Sequence, residues 1–284
     1  MRLSPLRLPR AAHSLAQPLR FDGIGLHSGA PAQLVLEPHP QGWALALGPS
    51  GKAWPIEQLV LFDSNRATTL CSPEAERFAT VEHVLAAISG AQLDAVCVRL
   101  LSGPEFPAFD GSAAALAESI AAATKEALPR QAWVWALGGE LELKVGSAWA
   151  RLEAADQRSI SCSIDFPELG RQEASWAETD DFCGGLARAR TFAFVADLDK
   201  LQQQGLAKGG SLHNALLLDA GARTINPEGQ RFENEAAMHK LLDLLGDLAR
   251  LGAPLRARLV AHRPGHRFNA ALVEALESIK ERSA

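Results

Sequence analysis

Residues 238–247 read MHKLLDLLGD, and the way these ten fold sets the reading of the whole chain. Leu241, Leu242, Leu244, Leu245 and Leu248 surround His239, Asp243 and Asp247, which are spaced four apart. A helical residue advances by about 100°, so positions four and eight apart share one narrow stripe while the leucines cover the rest of the cylinder. Such a stripe is commonly the solvated edge of an amphipathic helix. Here Lys240 is the only other charge between Met238 and Gly246, so the helix is apolar nearly all round. That pattern predicts burial, and a buried carboxylate needs a partner.

Outward from this helix the chain repeats itself. HKLLDLLGDLARLG (239–252) precedes a strand-like RARLVAH (256–262), much as HVLAAISG (83–90) precedes AVCVRLL (95–101). The alternating stretches AQLVLEP (32–38) and GWALALG (42–48) read as strands bounded by Pro and Gly. TVEHVLAAISG (80–90) reads as a helix with Thr80 as N-cap and Gly90 closing it. After the loop GPEFPAFDGS (103–112) an alanine-rich helix is predicted over about 112–127, broken at Pro129. WVWALGGELELKVGSAWARLEA (133–154) then starts a new sheet as two strands and a hairpin. These elements predict strands plus one histidine-bearing helix in each half, residues 1–129 and 130–284. The opening MRLSPLRLPRAAHSLAQPLRF breaks its apolar residues with prolines, lacks a signal-peptide core, and reads as a short tail.

Composition narrows the function classes. A chain of 284 residues can bury roughly three quarters of its unfolded surface. Its 47% hydrophobic and 21% charged residues are those of a soluble globule, and a net charge of −5 gives no basic footprint for nucleic acid. Cys71, Cys97, Cys162 and Cys183 lack CxxC spacing, which signals neither a thiolate zinc site nor a redox pair and points to reduced thiols in the cytoplasm. No apolar run approaches the roughly 20 residues of a membrane span.

Of eight histidines, His13 and His39 sit in proline-flanked loops, and His27, His213 and His262 are each compatible with a site or a packed turn. Glu82 beside His83 resembles half of a hydrolytic metal site, in which one residue binds the ion and its neighbour handles a proton. His239 and Asp243 can face one ion from one helix side. Each signal alone also suits an ordinary structural residue. In combination, His83, His239 and Asp243 make the three-ligand pattern of a catalytic zinc, and Glu82, His266 and Asp247 remain as base, acid and the carboxylate that orients the acid.

TVEHVLAAISG, PEFPAFDGSA, RARTFAF, GGSLHNALLLD, FENEAAMHKLLDLLGD and PGH occur in this order from GIGLHSG near residue 23 onward. The set resembles the UDP-3-O-acyl-N-acetylglucosamine deacetylases, zinc enzymes of lipid A synthesis. The resemblance implies an α+β fold in which two similar sheet-plus-helix domains sandwich the active site, with a small insert near 186–212 forming an acyl passage. It implies the same zinc ligands, Glu82 as base and His266, oriented by Asp247, as acid. Thr191 would stabilise the oxyanion, Phe192 and Phe194 would line the sugar and nucleotide region, and Lys240 would bind substrate. The passage would involve Val195, Leu198, Leu201, Leu206, Leu212 and Leu216, which are equally suited to being the core of the insert.

The chain departs from the family pattern at His213, where an acidic or amide residue is usual, and at Lys208, where an apolar one is. Ala148 precedes Trp149 where the family commonly offers the diphosphate a lysine, with Arg151 or Arg263 as replacements. Expected, then, is a monomeric cytoplasmic zinc hydrolase that releases acetate from a small acylated nucleotide sugar. The rival readings are a zinc amidase for another N-acylated sugar and a catalytically silent metal-binding paralogue.

Overall fold

Two five-stranded sheets carry the same strand order. The computed structural model describes residues 1–281. The first sheet runs Leu19–Ile24, Pro31–Glu37, Val96–Ser102, Trp43–Leu47, Trp54–Pro55, and the second Glu140–Val145, Ala148–Glu153, Arg258–His262, Ser159–Phe166, Gly170–Ala177. In both, the strand latest in the chain lies at the centre, parallel to one neighbour and antiparallel to the other. A parallel neighbour requires a crossover, and helices supply it. Helix α1 (Glu82–Gly90) precedes the central strand of the first sheet and α2 (Ala114–Ala122) follows it. After the small helix α3 (Val195–Gln203), α4 (Glu235–Leu248) precedes the central strand of the second sheet and α5 (His266–Ser278) follows it. The faint repeat in the sequence is thus a repeat of architecture, and the fold is α+β.

The helices meet between the sheets, α1 against α4. All nine residues of α1 are buried, as are Leu241, Leu242, Leu244 and Leu245 of α4 at 1% exposure or less. Burying each such leucine contributes about 1.5–3 kcal/mol. Gly246 lets the two helices approach: a Cβ there would collide with the Glu82 carbonyl. A glycine inside a helix costs about 1 kcal/mol, and here it permits a contact that no other residue would.

Three local expectations are corrected. The opening residues are no tail: Arg2–Leu15 is a strand, paired antiparallel with Lys125–Gly138. Proline lacks the N–H of a ladder, but this strand is a sheet edge, and both Pro9 and Pro129 fall where the register slips between Arg7 and His13. The alanine-rich helix ends at Ala122, because Lys125, Glu126 and Ala127 pair with Leu15, Ser14 and His13; tertiary pairing overrides helix propensity there. Thr80 does not cap α1. Its φ is +61°, its hydroxyl donates to Glu105 Oε2 at 2.8 Å, and Val81 occupies the cap position.

Between Gly170–Ala177 and α4 the chain forms a small unit of its own, with Phe192–Phe194 and Leu216–Leu218 pairing in parallel around α3. Among the described residues no helix is long and apolar enough to cross a membrane.

Candidate metal centre

The stripe of α4 points at the first turn of α1. His239, Asp243 and Asp247 are all buried, and so are Glu82 and His83. Asp243 Oδ1 lies 3.3 Å from His239 Nε2 and 3.6 Å from His83 Nε2. The two imidazoles stand edge to face, ring centroids 5.0 Å apart. His239 Nδ1 is 3.1 Å from the Ala189 carbonyl, which can only accept, so Nδ1 carries the proton and Nε2 offers its lone pair. Asp243 Oδ1 is buried and, among the described residues, has no hydrogen-bond donor.

An acceptor orphaned between two imidazole nitrogens suits a cation. Ligands at 2.0–2.1 Å in a tetrahedron are about 3.3 Å apart, close to the two spacings here. One ligand atom from each of His83, His239 and Asp243 lies within 4.8 Å of the others, so the three residues could hold one metal ion. Nitrogen, nitrogen and carboxylate oxygen form a donor set suited to zinc.

The electrostatics treat the two imidazoles differently. Burial drives the His239 pKa down to about 3, with Asp243 opposing, so this imidazole is neutral as a ligand must be. Burial also opposes charge on Asp243, but the cationic Lys240 and His266 hold its carboxyl well below the usual range. Lys240 Nζ is 2.8 Å from Asp243 Oδ2. Burial pushes the Glu82 carboxyl up against the pull of His266 and His83. For His83 the burial cost is outweighed by Asp243 and Glu82, which raise it.

His266 stands at the start of α5. Its Nδ1 is 3.1 Å from Asp247 Oδ2, and its Nε2 is 3.7 Å from Asp243 Oδ2. Burial would discharge it, yet Asp243, Asp247 and Glu82 raise its pKa to about 9. Asp247 is itself held by the Thr68 hydroxyl at 2.5 Å and Asn269 Nδ2 at 2.8 Å. Thr68 also donates its backbone N–H to Glu82 Oε2 at 3.0 Å. Sequence reasoning missed Thr68 and Asn269. The spacing of Asn269, one turn after His266, was the available sign for one of them; Thr68 leaves none.

Residues 12–278 match the family profile of UDP-3-O-acyl N-acetylglycosamine deacetylase. A protein of Anaeromyxobacter dehalogenans named UDP-3-O-acyl-N-acetylglucosamine deacetylase is 40% identical, over 92% of this chain and 85% of its own. Proteins of that name from Myxococcus xanthus and Campylobacter fetus are 37% and 35% identical, over 93% and 90% of this chain and 86% and 88% of theirs. The chain belongs to this deacetylase family.

Of the residues singled out by likeness to the deacetylases, Thr191, Phe192, Phe194, Leu198, Leu212, Lys240 and Arg263 line one cavity of about 670 Å³ that opens from the metal centre. Leu201 lines it as well, whereas Val195, Leu206 and Leu216 do not. Val195 is exposed at the start of α3, and Leu216 is fully buried with Leu218 and Phe194 in a small core. In a strand, neighbours point to opposite faces, so it is Leu217 that turns to the cavity. His27, Arg66 and Arg267 also line it and were not assigned to it from sequence. His213 is exposed. Arg263 meets the cavity while bonded to Asp165 at 3.1 Å; Arg151 does not line it and pairs with Glu140 and Glu153. Four of the lining residues, Arg66, Thr80, Ala207 and Arg263, have left-handed backbone, a strain that collects at functional sites.

Proposed function

We propose that this chain, a hydrolase of the deacetylase family, removes the N-acetyl group of UDP-3-O-acyl-N-acetylglucosamine, releasing acetate on the route to lipid A. Zinc is the proposed cofactor, with His83, His239 and Asp243 as its ligands. The orphaned Asp243 Oδ1 between two imidazole nitrogens carries this reading. Once bound, the ion would supply Lewis-acid polarisation and make water more acidic.

The remaining chemistry falls to side chains. Glu82 Oε2 is committed to the Thr68 N–H, which leaves Oε1 to accept a proton from water as it adds to the acetyl carbonyl carbon. A buried carboxyl with a raised pKa suits a base working near neutrality. His266 keeps its Nδ1 on Asp247 and gives the Nε2 proton to the departing amine as the C–N bond breaks. Thr191 would donate to the developing oxyanion. Phe192 and Phe194 flank the sugar and nucleotide, Lys240, Arg263, Arg66 and Arg267 offer positive charge to the diphosphate, and Leu198 and Leu212 face the acyl chain.

The division into residues 1–129 and 130–284, with an insert near 186–212, belongs to the same proposal and is supported by the matching strand orders. So do a cytoplasmic location, supported by four free cysteines, and a monomeric state, to be checked by sedimentation. The deciding experiment follows acetate release from UDP-3-O-acyl-N-acetylglucosamine and a panel of other N-acetyl sugars, with and without chelator. Chelator-sensitive turnover of the nucleotide sugar is expected. Turnover of a different sugar alone overturns the substrate, and no turnover of any overturns the activity.

A further inference from the structure

Arg190 and Glu235 form an ion pair that is 1% and 0% exposed and takes no part in the chemistry above. Glu235 opens α4, one helical turn before His239, and Arg190 sits between Ala189 and Thr191. The pair is fully connected. Arg190 donates Nε to Glu235 Oε1 at 2.8 Å, Nη2 to Glu235 Oε2 at 3.1 Å and to the Gly229 carbonyl at 2.7 Å, and Nη1 to Glu228 Oε1 at 2.6 Å. Glu235 also accepts the backbone N–H groups of Arg190 at 3.1 Å and Arg231 at 2.7 Å.

Replacing a buried ion pair with apolar residues of similar volume is often neutral or stabilising, so stability alone gives little reason to bury this one. Its geometry gives another. It staples residues 189–191 to the first turn of α4, and the Ala189 carbonyl in that stretch holds His239 Nδ1 at 3.1 Å. From its other end the same stretch presents Thr191 to the cavity, with the Thr191 N–H on Gly111 O and the Thr191 carbonyl on the Leu216 N–H, both at 2.7 Å.

We propose that Arg190 and Glu235 are positioning residues: their bidentate pairing sets the register of the 189–191 segment against α4 and thereby locks His239 in the Nδ1–H tautomer, with Nε2 free for the metal. The metal half of this statement rests on the zinc reading above; the tautomer half does not. Partners that orient a ligand histidine typically change metal affinity by about 10–100-fold when removed.

Single removals strand a buried charge, so the test uses Arg190→Met with Glu235→Leu, which removes both, and Arg190→Lys, which keeps the charge but cannot span both carboxylate oxygens. Zinc affinity is measured by competition with a chromophoric chelator. The His239 tautomer is read in the chelated protein by ¹⁵N NMR, assigned from the His239→Gln spectrum. Expected are a folded double variant, a fall in zinc affinity of about 10–100-fold, a smaller fall in Arg190→Lys, and both tautomers in place of one. A wild-type affinity together with a single Nδ1–H tautomer in either variant that folds would overturn the proposal. If the wild-type protein bound no zinc, the zinc reading would fail, and the tautomer measurement would still decide the clamp.

Discussion

Helices α1 and α4 hold equivalent places in the two sheet units, yet they are built for the site in different ways. Helix α1 contributes from its first turn alone, Glu82 and His83, and is otherwise alanine, valine, leucine and isoleucine up to Ser89 and Gly90. Helix α4 contributes along two turns, from His239 through Asp243 to Asp247. In the proposed assignment, one ligand and the base come from a helix start, and two ligands and the orienting carboxylate come from a stripe. A duplicated framework therefore yields one asymmetric site at its seam, where α1 and α4 touch at Gly246. Neither half can make the site alone.

The largest effect should come from breaking the α4 side. Asp243→Ala removes the carboxylate between the two imidazoles, so bound metal, measured by elemental analysis, should drop to background and turnover with it. Full metal occupancy in this variant would remove Asp243 from the ligand set. On the α1 side, Glu82→Gln should retain metal and lose about 10²–10⁴ in kcat, as should His266→Ala at the start of α5. Near-normal kcat in both would show that the proton-transfer roles lie elsewhere.

The seam is probed by Gly246→Ala. The added methyl meets the Glu82 backbone, and overpacking of this kind costs about 1–3 kcal/mol, so thermal unfolding should move to lower temperature. An unchanged Tm for Gly246→Ala would mean that the helices separate easily.

Asp247→Asn should act more gently. Asp247 is one of three carboxylates that raise His266, so removing its charge lowers the His266 pKa, and the basic limb of the kcat profile should shift to lower pH with metal retained. The sign also holds for stability in chelated protein. A histidine whose pKa is raised on folding stabilises fully below its unfolded value of about 6.5, and loses that contribution as pH rises through about 9. Tm against pH for wild type and Asp247→Asn should converge at the alkaline end; an unchanged kcat profile would make Asp247 a structural residue only. Smallest of all, exposed Val195→Ser should leave KM and Tm nearly unchanged, within about 0.5 kcal/mol, whereas a similar change at cavity-lining Leu198 should raise KM.

Much of this was legible in the order of residues because helical spacing alone puts His239, Asp243 and Asp247 on one stripe, and leucines on every other side forecast its burial. The repeat of helix then strand forecast two like units. Prolines misled at the N-terminus, since nothing local shows that a partner strand at 125–138 will accept them at an edge and a bulge. In the insert, the two-residue period of the strand Leu216–Leu218 could not say which leucine faces the cavity until the strand was anchored beside Phe192–Phe194.

By itself, then, the sequence determined which groups could do chemistry and which of them share a helix face, because those depend on residue type and a fixed helical period. Only the tertiary structure decided what meets those groups. The Ala189 carbonyl that sets the His239 tautomer is 50 residues away in the chain, and the Thr68 hydroxyl on Asp247 is 179 away. A backbone carbonyl has no identity in a sequence, and threonine is common; both become specific only when packing excludes water and leaves a buried polar atom few partners within reach.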